Sequence, residues 1–192
     1  MLDSREHDDT APAPGDLEVL QRFLNLHEHD PQGRTTPPPP EMVRTFLVDR
    51  GLLDRQTPFT AADHRAAVRL AAGLRAVVLA DEDEPLPEEA IATLDAASEA
   101  AGLHPHFAYG EPVLVPAEDG VAGAFGRLVA IAFLARFDGT WSHLKRCADD
   151  DCRAVFYDRS KNHSGRWCSM ASCGNRAKVR AWRERQKAHD GA

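Results

Sequence analysis

Cys147-Ala148-Asp149-Asp150-Asp151-Cys152 and Cys168-Ser169-Met170-Ala171-Ser172-Cys173 are the two stretches that decide how the C-terminal part of this chain folds. Each stretch begins and ends with a cysteine, and fifteen residues separate the two. Two close pairs joined by a short loop suit tetrahedral zinc, because each pair offers two thiolates from one turn. The spacing predicts one structural Zn²⁺ held by Cys147, Cys152, Cys168 and Cys173.

The alternative of two disulfides is disfavoured by the cellular compartment that the sequence indicates. Residues 1–9 are acidic and lack the apolar core of a secretory signal. The longest apolar run, Leu128 to Ala135, falls short of the roughly 20 residues that span a bilayer. We therefore expect a cytoplasmic protein without a membrane segment, in which thiols stay reduced. Four thiolates leave no metal position for a catalytic water, so we expect the metal to be structural. The sequence contains no phosphate-binding Gly-rich loop and no GxSxG-type element, and we therefore expect no enzyme activity. The nearby His143 and His163 are expected to be surface histidines.

The segments around the cysteines predict a hairpin followed by a helix. Residues 153–158 alternate like a strand, and residues 166–168 are expected to return as its partner. A helix is expected from about residue 175 to residue 187. One of its faces carries Val179 and Trp182, and we expect that face to pack on the hairpin with Trp182 as its main anchor.

Charge is divided unevenly along the chain, whose net charge is −7. Residues 1–140 contain 11 arginines, no lysine and 24 acidic residues, whereas residues 141–192 contain 12 basic and 6 acidic residues. A row of long cations along a helix can follow a phosphate backbone. The predicted nucleic-acid contacts are Arg159, Lys161, Arg166, Arg176, Lys178, Arg180, Arg183 and Lys187.

Two other functions remain open from the residues alone. The basic helix could dock on an acidic partner protein or on the acidic residues 81–89, with the zinc site as a staple. The cysteines could also sense oxidants or zinc, since cationic neighbours favour the reactive thiolate. Arg75 and Asn25 are candidates for lining a ligand pocket, although a structural role at the edge of the core is favoured.

The remaining sequence predicts an α+β fold with three parts. Residues 1–15 are expected to form a flexible leader, residues 16–140 a mostly helical domain with a β-hairpin, and residues 141–189 a small zinc-bound hairpin and helix. The predicted helices run from Asp16 through His27, over 41–50, after Thr60, from Pro87 to Ala101, and over 121–137. The hairpin is expected around residues 109–111.

The C-terminal motif resembles a known family. Trp167-Cys168-Ser169-Met170, Cys173-Gly174-Asn175-Arg176 and Lys178 are similar to the CGNR zinc finger, and residues 156–162 are similar to its hairpin. The resemblance covers about forty residues. It implies a structural zinc finger that acts as the DNA-binding element of stress-induced transcription regulators.

The preceding part resembles the ABATE domain that accompanies this finger. Phe23-Leu24-Asn25 is similar to its early Phe-x-Asn-Thr element, with Leu26 at the position of the Thr. The two resemblances together imply a transcription regulator whose partner is double-stranded DNA. A homodimer and a small-molecule effector are compatible with that class.

Overall fold

The computed structural model describes residues 10–29, 35–80, 85–108, 111–149, 151–152 and 154–190. The six α-helices in these residues are α1 (Leu17–Leu24), α2 (Pro40–Asp49), α3 (Ala61–Leu79), α4 (Glu88–Ala101), α5 (Gly120–Phe137) and α6 (Asn175–Asp190). Three antiparallel pairs join β1 (Glu28–His29) with β2 (Thr35–Thr36), β3 (His104–Ala108) with β4 (Glu111–Val115), and β5 (Leu144–Arg146) with β6 (Val155–Tyr157). The predicted fold class, a mostly helical part followed by a cysteine-bearing hairpin and helix, is confirmed.

Local signals at helix ends predict most boundaries correctly. Thr60 caps α3 through reciprocal hydrogen bonds with Asp63, and Gly102 ends α4 in a left-handed conformation. The prediction for α1 is wrong in two respects, because Asp16 makes no side-chain capping bond and the helix ends at Leu24, before His27. The predicted hairpin is present as β3 and β4. Its turn residues 109–110, the acidic residues 81–84 and the leader residues 1–9 lie outside the described residues.

Helix α5 is the central element of the core. It packs against α1 and α4, and Gly126 permits that approach, since a Cβ there would lie 2.4 Å from the Cβ of Ala101. By length and hydropathy it is the one helix of the described chain that could cross a membrane, but half of it is buried in the protein. Leu128 is fully buried, whereas Phe133 and Phe137 are exposed and stack on each other at the surface. One face of α5 therefore has no covering element among the described residues.

The zinc-binding part packs directly on the helical body. Trp141, Leu144 and Val155 belong to the same buried apolar cluster as the core helices. Asn25, just after α1, donates from Nδ2 to the Val155 carbonyl at 2.7 Å and accepts the Val155 N–H at 2.8 Å. Its side-chain amide thus occupies the place of a neighbouring strand beside β6. The division at residue 140 stays a prediction, and the hydrophobic core runs across it.

The segment before α1 is held by both parts. The buried side chain of Gln21 accepts the Ala13 N–H at 2.7 Å and donates to the Ala11 carbonyl at 3.2 Å. Arg159, from the loop after β6, donates to the Pro12 carbonyl at 2.6 Å. These bonds attach the described end of the predicted leader to the rest of the molecule.

The strand that pairs with β6 is not the predicted one. Residues 166–168 form no strand; Tyr157 pairs with Leu144 and Val155 with Arg146 instead. The chain after β6 loops around Asp158, whose carboxylate accepts the N–H groups of Ser160 at 2.9 Å and Gly165 at 2.8 Å. Alternation of apolar and polar residues in a sequence indicates a strand. It does not identify the partner strand, because pairing depends on contacts with residues distant in the sequence.

Replacing Asn25 by alanine tests the junction between the body and the zinc-binding part. The substitution leaves the Val155 N–H and carbonyl without their partner, so we expect the free energy of unfolding to fall by about 2 kcal/mol. Urea unfolding of the zinc-loaded protein measures this, and Asn162→Ala in the exposed loop serves as the matched control. Equal stabilities of the two variants would contradict the proposed role of Asn25.

Candidate metal centre and basic helix

The four cysteines converge from separate segments. Cys147 directly follows β5, and its N–H donates to the Ala154 carbonyl at 2.8 Å. Cys152 closes the first turn by donating its N–H to the Asp149 carbonyl at 2.9 Å. Cys173 lies in the wide helical turn Met170–Gly174 that leads directly into α6. Backbone contacts thus place Cys147, Cys152 and Cys173 in defined turns around one point.

The sulfur positions fit a tetrahedral metal site. All four Sγ atoms lie within 4.8 Å of one another, and the Sγ of Cys168 is 3.5 Å from those of Cys152 and Cys173. Zinc–sulfur bonds of about 2.3 Å in a tetrahedron place neighbouring sulfurs about 3.8 Å apart. Cys147, Cys152 and Cys173 are buried, and Cys168 is half-buried. Four soft donors at this spacing accommodate one structural Zn²⁺ and leave no position for a reacting water.

The chemistry of the cluster also calls for a cation. The hydrogen bond with Cys152 and burial raise the pKa of the Cys168 thiol, and burial raises the pKa of Cys173 to about 12. Four thiolates this close repel one another strongly, whereas a coordinating thiol is deprotonated by the metal. Zinc binding therefore contributes directly to the folding free energy of this region.

A buried carboxylate, Asp149, links the first cysteine turn to α6. Its side chain is fully buried and accepts hydrogen bonds from Arg176 Nε at 3.0 Å and Arg180 Nη2 at 3.4 Å. Burial alone would raise the pKa of Asp149, but the two guanidinium groups lower it below its usual value. Arg176 also donates to the Sγ of Cys173 at 3.1 Å. The start of α6 is thus held to both ends of the metal site.

A second buried carboxylate, Asp158, organises the loop between the cysteine pairs. Burial would raise its pKa, but hydrogen bonds from Lys145 Nζ at 2.7 Å and from the Ser160 and Gly165 N–H groups hold that pKa far below its usual range. Only glycine fits at position 165, where a Cβ would lie 2.5 Å from Asp158 Oδ1. The sequence analysis did not predict a structural role for either carboxylate. For Asp149 a signal was available, because three consecutive aspartates in an otherwise basic segment indicate acceptors for the surrounding cations.

The structure sorts the predicted nucleic-acid contacts into two groups. Arg176 and Arg180 turn towards Asp149 and are occupied in the protein. Arg159 binds the Pro12 carbonyl and lies 5.5 Å from the Tyr157 ring centroid, and Arg166 lies over Trp167. The side chains of Lys161, Lys178 and Arg183 are exposed, and that of Lys187 lies outside the description. The sequence places Arg176, Arg180, Arg183 and Lys187 in one row on a flank of α6. That row is divided, because the buried carboxylate of Asp149 binds its first two members.

The predicted packing face of α6 is wrong. Trp182 is 55% exposed and Val179 is 47% exposed, whereas Ala177 and Ala181 are half-buried. Helix α6 packs chiefly against the turn Met170–Gly174. Sixteen residues extend about 24 Å, so most of the helix projects beyond that turn. The apolar face predicted to anchor the helix is its outward face.

Comparison with known proteins agrees with this geometry. Residues 143–186 match the family model of the CGNR zinc finger. An ABATE domain is not detected by a family model. Among curated proteins, none matches the chain. The family match and the sulfur cluster together make this a protein that contains a CGNR zinc finger with one structural Zn²⁺ site.

Zinc content tests the metal site. We expect one zinc per chain by elemental analysis and more than about 100-fold weaker zinc binding in Cys168→Ser, since even losses outside the coordination sphere cost 10–100-fold. Competition with a chromophoric chelator measures the affinity, and Ser164→Ala in the exposed loop is the control. Full zinc retention by Cys168→Ser would exclude the four-cysteine site.

Paired substitutions in the first cysteine turn test the buried carboxylate. Asp149→Asn removes the charge that Arg176 and Arg180 share, so we expect the free energy of unfolding to fall by about 2 kcal/mol. Asp151→Asn removes a carboxylate of the same turn that is 84% exposed, and its effect should stay within about 0.5 kcal/mol. Thermal unfolding of both zinc-loaded variants measures the difference. Similar losses would show that total charge, not the buried contact, matters.

Proposed function

We propose that the zinc finger binds double-stranded DNA through the outward face of α6 and that the protein regulates transcription. The observation that carries the proposal is a set of exposed cations, Lys178, Arg183 and Arg185, for which the described structure contains no ion pair. Free guanidinium and ammonium groups along one helix suit phosphate contacts, which supply most non-specific affinity for DNA.

The outward face of α6 also offers apolar contacts to bases. At 100° per residue, Val179 and Trp182 lie between Arg183 on one side and Lys178 with Arg185 on the other. A helix fits the major groove, where apolar side chains meet the thymine methyl group and cations reach phosphates or guanine. An exposed tryptophan flanked by cations is therefore better explained by a nucleic-acid surface than by solvation alone.

The charge of the whole chain supports the same partner. The acidic residues 1–140 repel a polyanion, whereas residues 141–192 carry a net positive charge. Such a distribution would orient the finger towards DNA during encounter. The zinc ion has a structural role in this proposal: it holds the turn from which α6 begins, and Asp149 fixes the direction of its first turns.

The regulatory part of the proposal rests on the family resemblance. The helical residues 16–140 would receive the signal, as expected for an ABATE-like domain of stress-induced regulators. The protein would act in the cytoplasm, and it would bind a symmetric DNA site as a homodimer.

The alternative of a protein-interaction module is favoured by one observation, the exposed Val179 and Trp182. These two side chains would also fit an apolar groove flanked by acidic residues on a partner protein. A thiol sensor is less well supported, because three of the four sulfurs belong to buried residues.

Binding measurements with charge variants test the DNA proposal. Fluorescence anisotropy with a mixed-sequence duplex between 50 and 200 mM salt should give strongly salt-dependent affinity. Arg183→Ala with Arg185→Ala should weaken binding and flatten the salt dependence by roughly two phosphate contacts. Arg65→Ala with Arg69→Ala, two exposed arginines of α3, is the matched control and should change neither.

Trp182→Ala separates base contact from phosphate contact. We expect a loss of affinity with the salt slope unchanged, because apolar contacts to base edges release no counterions. Absence of binding by the zinc-loaded protein at 50 mM salt would overturn the DNA proposal. Capture of a stoichiometric acidic protein by the same α6 residues, without DNA binding, would establish the alternative.

A further inference from the structure

A cavity of about 370 Å³ lies where the helical body meets the hairpin of the finger. Its walls are largely apolar and include Phe23 of α1, Val43 of α2 and Ala71 of α3. The finger contributes Val155 of β6 and Arg146 of β5, the residue directly before the ligand Cys147. The volume and the mixture of apolar walls with few polar groups are typical of small-molecule sites.

Two guanidinium groups give this cavity its chemical character. Arg75 of α3 is half-buried at the wall, donates a hydrogen bond to the Leu24 carbonyl, and has its pKa lowered by burial. Arg146 is exposed, and no hydrogen bond or ion pair of its side chain occurs within the described structure. The lining residues that the structure describes include no aspartate or glutamate. A largely apolar cavity with two arginines, and with no acidic residue among its described lining, suits an anion, because arginine keeps its charge even when desolvated.

We propose that this cavity binds a small organic monocarboxylate, with the carboxylate at Arg146 and Arg75 and an aliphatic or aromatic body against the apolar wall. Guanidinium groups suit this anion because their donors match the two carboxylate oxygens. The inference stands on the cavity alone and does not depend on DNA binding by the finger.

Binding at this place would stabilise the junction between body and finger. The cavity includes Val155, which Asn25 already joins to the end of α1, and Arg146, which adjoins the metal site. A ligand that contacts both parts binds the folded chain only, so it raises the melting temperature by mass action. A ligand at about 100 times its dissociation constant should raise the melting temperature by about 5 °C or more.

The test uses octanoate and benzoate as probes on the full zinc-loaded chain. Both should raise the melting temperature, whereas octanamide, which keeps the apolar chain but lacks the charge, should not. Calorimetric titration should then show at least tenfold weaker octanoate binding for Arg146→Met, an exposed position where the fold does not depend on the side chain. Arg65→Met, at an exposed residue of α3 that is not among the lining residues, is the matched control and should bind octanoate like the wild type.

Further variants protect the test against a failure to fold. Arg75→Met should also weaken octanoate binding, and its circular dichroism spectrum and zinc content show whether it is folded. Ala71→Phe fills the cavity without removing charge and should abolish binding. No response to either carboxylate at millimolar concentration would overturn the proposal. Equal binding of octanamide would also overturn it, because the effect would then come from apolar adsorption. An equal loss of octanoate binding in Arg65→Met would overturn it too, because the effect would then come from general surface charge.

Discussion

Four sulfur atoms within 4.8 Å of one another impose the constraint on which the C-terminal part of this protein depends. Few apolar side chains support this region: its own buried cluster consists of Ala154 and Phe156 beside three of the cysteines. Such a small core cannot balance the loss of chain entropy, and metal coordination supplies the difference. The hairpin end, the first turn and the start of α6 all meet at the sulfurs, so one ion determines their relative positions.

Buried acids decide which of the many cations belong to the fold. Asp149 engages Arg176 and Arg180, and Asp158 engages Lys145. These contacts replace water around carboxylates that would otherwise be costly to bury. The cations without such partners stay at the surface, chiefly along the outward side of α6. The same residue type thus has two roles in one finger, according to whether an acceptor of the protein lies within reach of the side chain.

The finger is joined to the helical body by a shared core and by the Asn25 amide, not by a flexible connection. One side of its hairpin lines the cavity with Arg146 and Val155, while the other end of the finger leads into α6. Arg146 directly precedes the ligand Cys147, and α6 begins directly after the turn that contains the ligand Cys173.

The sequence by itself determined what depends on residue type and local spacing. Cysteine spacing predicts the metal site, since four thiolates at two short intervals suit one ion, and glycine, proline and capping residues predict the ends of α3 and α4. Only the tertiary structure decided which strand pairs with β6, where Arg176 and Arg180 turn, and that Trp182 faces outward. Those features depend on groups far apart in sequence: Asp149 lies 27 residues before Arg176, and Asn25 lies 130 residues before Val155. Helical periodicity shows which residues share a face, but the side that becomes buried is chosen by what the rest of the chain brings next to it.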